Sequence, residues 1–346
     1  MDPISRAISS AAAGAGGAGQ TVVALITESS PTVCAYEWDS GFGSKFADPS
    51  SLIGETVQPY SVNFSPNGNY LAVGHYSSPY VSVYEFSSSG FGSKFSNPST
   101  LPANQGRSAV FSPDGNNIAV GHVGSPFISV YPWSASGFGT KYSDPSSSLP
   151  NVARGVEWSP DGNTIAMAHS SGSTIAAYPW SSGFGSKYSD PSTLPNGSGT
   201  SISWSPDGNN IAHGSSNSPY INVYSWSSGF GSRYSNPSTL PSSSVNEARF
   251  SPDGNDIAMA LGSSPYVTAY PWSSGFGSKY SNPSTLPPNT GRGMDWGLDS
   301  DVLMVAHGGS PFVTAYAWSS GFGTKYANPS TSPGSQCFDA SFATVT

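Results

Sequence analysis

Gly-Phe-Gly occurs seven times along the chain, starting at Gly41, Gly90, Gly137, Gly183, Gly229, Gly275 and Gly321; successive copies lie 49, 47, 46, 46, 46 and 46 residues apart. A period of that length marks a repeat architecture, in which each unit buries its apolar faces against its neighbours. Length alone, 346 residues, suggests two domains. The repeat replaces that estimate with one closed array and a short tail.

The unit from Arg107 to Tyr142 shows the grammar. A short run ends at Phe111 and is followed by Ser112-Pro113-Asp114-Gly115-Asn116. Ile118 to His122, a Gly-Ser-Pro loop, Phe127 to Trp133 and a Gly137-Phe138-Gly139 turn then lead to Lys141 and Tyr142. Glycine supplies positive φ and aspartate caps its own turn, so these clusters are turns. The runs between them are rich in Val, Ile, Tyr, Phe and Trp, as strands are. Four strands and four connections of about 5–6 residues each come to roughly 44–46 residues, which is the period. Four-stranded antiparallel units around an axis make a β-propeller. The chain therefore reads as all-β: a seven-bladed β-propeller with strands A to D running from axis to rim.

The ends of the chain fit that scheme. Val22 to Thr27 matches strand B and Thr32 to Trp38 matches strand C, so the first unit lacks strand A. Phe338 to Phe342 aligns with Arg292 to Trp296 at the 46-residue offset and supplies it. One blade is thus built from both ends, which closes the ring. Residues 1–20 are set apart as an N-terminal tail and residues 21–346 form the propeller.

Phe-Ser-Pro-Asp-Gly-Asn at Phe111 and Phe250, with Trp158 and Trp204 heading two further copies, is followed by an apolar strand. In this the chain resembles the WD-repeat-like propellers over residues 21–346. It does not carry their Gly-His and Trp-Asp pairs as a repeated signature, so their partner-binding rules do not transfer. The wording Gly-Phe-Gly-Ser-Lys-Tyr-Ser-Asn-Pro-Ser-Thr-Leu-Pro, as at residues 275–287, is also similar to propeller proteins encoded by tailed bacteriophages.

The tail has its own character. Asp2 can cap a helix, Pro3 suits its first position, and Ile4, Ile8, Ala11 and Ala12 share one face. Gly14 to Gly19 forms a flexible linker. The tail reads either as a frayed terminus or as an anchor, with Pro3, Ile4 and Ile8 as contacts, docking the ring onto other proteins.

Only 9% of residues are charged and the net charge is −8. That balance argues against a nucleic-acid partner held by phosphate neutralisation. No run approaches the 18 or more apolar residues that span a bilayer, and the N-terminus lacks the pattern of a secretory signal.

Several residue types that suggest chemistry are products of the repeat. His75, His122, His169 and His307 end strand B in four units; Thr27, Ser215 and Leu261 stand there in the others, and His213 is displaced by two. Sheets pack about 10 Å apart whereas Zn–N bonds are about 2 Å. The histidines are therefore expected to hydrogen-bond between blades and not to share a metal. Asp114, Asp161, Asp207 and Asp253 alternate with Asn67 in the A–B turn, which fits capping and not acid–base work. Cys34 and Cys337 fall in the closing blade, but one strand lies between theirs. Two strand spacings, about 9.5 Å, exceed the reach of a disulfide, so both are expected as free thiols. No catalytic residue, metal or cofactor is assigned, and the chain is expected not to be an enzyme.

Two sets of residues remain as binding candidates. All six lysines share one phase, on the outer strand, with an aromatic three residues earlier. The rim set is Phe42 and Lys45, Phe91 and Lys94, Phe138 and Lys141, Phe184 and Lys187, Phe230 and Arg233, Phe276 and Lys279, Phe322 and Lys325. A lysine on an edge strand discourages pairing with other chains; the alternative is a ring of glycan or partner pockets. The second set lies four residues before the strand A aromatic, at the channel mouth: Tyr60, Arg107, Arg154, Thr200, Asn246, Arg292 and Phe338. Three of the six arginines share that phase, and arginine suits an anionic group or an acidic partner segment. The alternative is a set of salt bridges between blades, Arg249 and Glu247 included.

The function these features suggest is a non-enzymatic structural, attachment or decoration protein of a virus particle, that of a tailed phage, located in the virion. It would act as a rigid platform, meeting other virion proteins through residues 1–20 and a host surface glycan or receptor elsewhere. The alternatives are a lectin-like propeller and a cellular protein–protein scaffold.

Overall fold

The computed structural model describes residues 19–51, 53 and 58–346, so the proposed anchor residues Pro3, Ile4 and Ile8 lie outside the described residues. Blade one contains β1 (Gln20–Thr27), β2 (Val33–Trp38) and β3 (Phe42–Lys45). Blade two contains β4 (Pro59–Phe64), β5 (Tyr70–His75), β6 (Val81–Ser87) and β7 (Gly90–Lys94). Blade three contains β8 (Gly106–Phe111), β9 (Asn117–His122), β10 (Ile128–Ser134) and the short β11 (Gly137–Phe138). Blade four contains β12 (Ala153–Trp158), β13 (Thr164–His169) and β14 (Ile175–Pro179). Blade five contains β15 (Gly199–Trp204), β16 (Asn210–Ser215), β17 (Ile221–Trp226) and β18 (Phe230–Arg233). Blade six contains β19 (Val245–Phe250), β20 (Asp256–Leu261) and β21 (Val267–Pro271). Blade seven contains β22 (Gly291–Trp296), β23 (Val302–His307), β24 (Val313–Trp318) and β25 (Phe322–Lys325). The last strand, β26 (Cys337–Val345), pairs antiparallel with β1 from Gln20↔Val345 to Thr27↔Cys337 and completes blade one. The wheel is a seven-bladed propeller shut by its own ends.

The outer strand varies with one residue of strand C. Blades one, two, five and seven have Glu37, Glu85, Ser225 and Ala317 beside the C-strand tyrosine, and their outer strands run for four or five residues. Blades three, four and six have Pro132, Pro179 and Pro271. Proline has no N–H to give the ladder. The outer strand shrinks to two residues in blade three and to the single bridges Trp180↔Phe184 and Trp272↔Phe276 in the others.

Aromatic rings set the blades against one another. Trp133 of β10 meets Phe111 of its own inner strand at 5.7 Å, Phe138 of its outer strand at 5.0 Å and Phe95 of blade two at 4.8 Å, each edge to face. Trp318 does the same with Trp296, Phe322 and Tyr280 of blade six. Edge-to-face pairs add about 0.5–1.5 kcal/mol each beyond burial. The C-strand tyrosines are fully buried and reach the same neighbouring blade. Tyr131 Oη donates to the carbonyl of Thr100 at 2.8 Å and Tyr316 Oη to that of Thr285 at 2.7 Å, pinning the loop of the preceding blade.

Inner strands face the channel and have no strand partner on that side. Their amides are capped by side chains of the preceding blade: Ala109 N donates to Ser61 Oγ at 2.9 Å, Phe111 N to Asn63 Oδ1 at 3.0 Å, Met294 N to Glu247 Oε2 at 2.8 Å and Phe342 N to Asp295 Oδ2 at 2.8 Å. A spiral of side-chain bonds thus ties inner strand to inner strand around the axis, satisfying amides that burial would otherwise penalise.

Candidate functional site: the bulged mouth of the channel

At the second residue of every inner strand the pairing register skips one position: Tyr60, Arg107, Arg154, Thr200, Asn246, Arg292 and Phe338 each form a β-bulge. A bulge takes its residue out of the alternation and re-aims the side chain. These are the seven mouth positions picked out in the sequence, and the structure brings them to one end of the channel.

Around that ring most bulge residues reach a neighbouring blade. Thr200 Oγ1 donates to the Val245 carbonyl at 2.5 Å and Asn246 Nδ2 to the Gly291 carbonyl at 2.7 Å. Arg292 donates through Nη2 to Gln336 Oε1 at 2.6 Å and lies over the Phe338 ring at 4.7 Å. Arg107 lies over the Tyr60 ring at 3.9 Å and donates to Gln105 Oε1 at 2.8 Å. The Nε atoms of Arg107 and Arg292 are buried with no acceptor among the described residues. Arg154 is exposed and makes no hydrogen bond or ion pair among them. Burial, and then the charge of Arg154 nearby, lower the pKa of Arg107, although Tyr60 and Tyr76 oppose that. The salt bridges weighed as an alternative do not form at these three arginines among the described residues; they form lower in the channel, at Arg249.

There, Arg249 Nη2 lies 2.7 Å from Glu247 Oε1, and its guanidinium is 3.9 Å from both Glu157 and Asp295. Burial opposes its charge, but Glu247, Asp295 and Glu157 outweigh that and raise its pKa. Asp339 is pushed well up by burial and by the charge of Glu247. Glu247, Asp295 and Asp339 all cap amides of the next inner strand, so this acidic group belongs to the fastening of the wheel. Among the described residues no group of three or more His, Cys, Asp or Glu is placed to hold a metal ion. Tyr76, Gln105, Gln336, Glu157, Asp295 and Asp339 are not singled out by the sequence. Their signal there is variation between blades: Gln58, Gln105 and Gln336 share a phase with Val152, Ser198, Ser244 and Thr290, and Glu157 and Asp295 share one with Asn63, Val110, Ser203, Arg249 and Ser341.

The histidine expectation needs correcting. His75, His122 and His307 bond through Nε2 to Ser82, Ser129 and Thr314 at 3.1, 3.0 and 2.9 Å, within their own blades, because a strand C hydroxyl seven residues on faces the ring. Only the displaced His213 crosses blades, to the Thr174 carbonyl at 2.9 Å. Cys34 and Cys337 are buried free thiols on the two strands flanking β1.

On the rim, Phe42, Phe91, Phe138, Phe184, Phe230, Phe276 and Phe322 each stand edge-on to the C-strand aromatic of their own blade, at 5.0 or 5.1 Å. Lys45, Lys141 and Lys187 pair with Asp48, Asp144 and Asp190, while Lys94, Lys279 and Lys325 donate to Asn97, Asn282 and Asn328. Arg233 departs from this and donates to Asn222 Oδ1 at 2.9 Å.

The architecture and its site define the class: a seven-bladed propeller with a bulge-lined, arginine-bearing channel mouth. Among solved structures it is similar to the periplasmic gluconolactonase of Pseudomonas aeruginosa, at 16% identity over 95% of this chain and 99% of that one, with a TM-score of 0.69. It is also similar to a candidate 6-phosphogluconolactonase from Bacteroides uniformis, at 13% identity over 94% and 100% of the two chains, TM-score 0.69. A protein from Lactobacillus plantarum matches at 13% identity over 94% and 99%, TM-score 0.70. At these identities the likeness is one of fold. No protein-family model matches the chain, and no curated protein matches it in sequence.

The first two of these neighbours overturn the expectation of a non-enzymatic virion protein, and with it the exclusion of enzymatic activity, because they are gluconolactonases by name. Nothing among them supports a relationship to WD-repeat or phage propellers, or a place in a virion. The physical reason is plain: turn, aromatic and strand wording reports how blades stack, a need shared by propellers of unrelated function. No helix among the described residues is long and apolar enough to cross a membrane.

Proposed function

We propose that the chain hydrolyses a sugar lactone bound at the channel mouth. The observation that carries this is the pair Arg107 and Arg154 on adjacent inner strands, without a carboxylate counter-ion among the described residues, in a wheel whose fold neighbours are named gluconolactonases. In ring opening, water adds to the lactone carbonyl, the ring C–O bond breaks, and the alkoxide takes a proton to leave a hydroxy acid. Negative charge grows first on the carbonyl oxygen and then rests on the product carboxylate. The guanidinium of Arg107, held by Tyr60 and Gln105, and the exposed one of Arg154 stabilise both. Tyr60, already stacked on Arg107, and the exposed Tyr76 beside it offer ring faces to a saccharide.

The test is the rate of opening of δ-gluconolactone and of its 6-phosphate, above the spontaneous rate. The wild-type chain is expected to accelerate one of them, and Arg107→Ala with Arg154→Ala to lower kcat/KM by about 10²-fold or more. A folded wild-type chain that binds gluconate but leaves the opening rate unchanged overturns hydrolysis and leaves anion binding alone.

A further inference from the structure

A surface cleft of ≈ 580 Å³ lies between the rims of blades six and seven, lined by Asn282, Ser284, Thr285, Phe322, Thr324 and Lys325. That size falls within the range of small-ligand sites, about 300–1,000 Å³. Its chemistry is specific. Phe322 is half-buried, standing edge-on to Trp318 and Tyr316. Asn282 Oδ1 is taken by Lys279 Nζ and the Thr285 carbonyl by Tyr316 Oη, so what remains for a guest is the Asn282 amide N–H₂ and the hydroxyls of Ser284 and Thr324. The Lys325 ammonium has three donors, of which Tyr326 O and Asn328 Oδ1 engage two. No carboxylate lines the cleft.

We infer that this cleft and its repeats bind a neutral polyhydroxylated chain, an oligosaccharide. Hydroxyl-bearing guests suit closely spaced neutral donors and acceptors, and an aromatic flank suits the C–H face of a sugar ring. An anionic guest would find one cation already engaged by two acceptors. The repeat writes the same set one unit earlier in Asn236, Ser238, Thr239, Phe276, Ser278 and Lys279. Grooves placed at successive blades of a rigid wheel can engage one polymer at several points, so that weak contacts add by effective concentration. The rim grooves are separate from the channel mouth, and the inference stands apart from the hydrolase reading.

The experiment is native electrophoresis through gels containing dextran, mannan, xylan or β-glucan. The wild-type chain is expected to be retarded by at least one of these. Thr324→Trp fills one groove while leaving Phe322, Trp318 and Tyr316 themselves unsubstituted, and Ser278→Trp fills a second. Each is expected to weaken retardation about threefold or more and the pair to act multiplicatively, while Arg107→Ala with Arg154→Ala leaves it unchanged. Failure of the wild-type chain to be retarded by all four polymers overturns the inference. So does retardation that survives the double tryptophan variant with its thermal unfolding unaltered.

Discussion

Arg249 Nη2 and Glu247 Oε1 lie 2.7 Å apart on one inner strand, two residues from each other and both facing the channel. Glu157 and Asp295 approach the same guanidinium from other blades, so a single cation balances several buried carboxylates. Arg249→Met keeps the volume and removes the charge. It is expected to cost about 3–5 kcal/mol, the usual result of leaving buried charge uncompensated. Glu247 and Asp339 are both raised, first by burial, so their protonation on acidification relieves the repulsion. Urea titrations at pH 5 and pH 8 check this: the loss should be larger at pH 8, and an equal loss at both overturns it.

Burial pushes His75, His122, His213 and His307 down to about 4. A histidine kept neutral in the fold takes up a proton on unfolding once the pH is below its unfolded value of about 6.5. Its contribution is complete above that value and is lost as pH falls towards the folded value. Thermal unfolding should therefore drop between about pH 6.5 and 4, each histidine contributing on the order of 1–3 kcal/mol. Differential scanning calorimetry of wild type and of His122→Gln with His307→Gln measures it. The variant should show the shallower pH slope, whatever its absolute Tm.

Tyr131 holds the loop of the preceding blade by a single hydroxyl. Tyr131→Phe preserves the buried ring and should cost about 1 kcal/mol. The amides following Thr100 should exchange faster while those of β10 do not. Uniform exchange changes across the wheel would count against a local pin.

Pro179 ends strand C where blades one, two, five and seven carry an amide donor, and its outer strand is reduced to one bridge. Glu85 in the equivalent place accepts from Ser93 N at 3.3 Å. Pro179→Glu supplies both groups and is expected to slow amide exchange over residues 184–187. Unchanged exchange there would show that the proline is not what shortens the strand.

Removing residues 337–346 strips β1 of its inner partner and exposes a strand edge, a known route to aggregation. The truncated chain is expected to lose cooperative unfolding, and a synthetic peptide of those residues to restore it. A truncated chain that melts like the wild type would mean the ring does not need its closing strand.

The blade count, the order of strands and the closure by the chain ends were legible because turns and aromatics recur at fixed phase. The mouth positions were legible for a related reason: Arg107, Arg154 and Arg292 are the residues at which the copies disagree. The bulge beneath them was not, since a register skip carries no residue signature when Tyr, Thr and Phe occupy it equally well. The histidine partners were misplaced because period and phase say which residues are equivalent but not which side chains meet; Ser82 reaches His75 through strand pairing. The function was hidden for the same reason. The residues that repeat are those that stack blades, and stacking is a need shared by propellers of unrelated function.

β1 begins opposite the end of β26, at Gln20↔Val345, on the side of the wheel away from Arg107 and Arg154; the other end of the same pair, Thr27↔Cys337, sits on the arginine side. A carrier, bead or fusion partner joined at Gln20 or Val345 would therefore hold the wheel from behind. Its cationic opening would point into the medium whichever end was used for attachment.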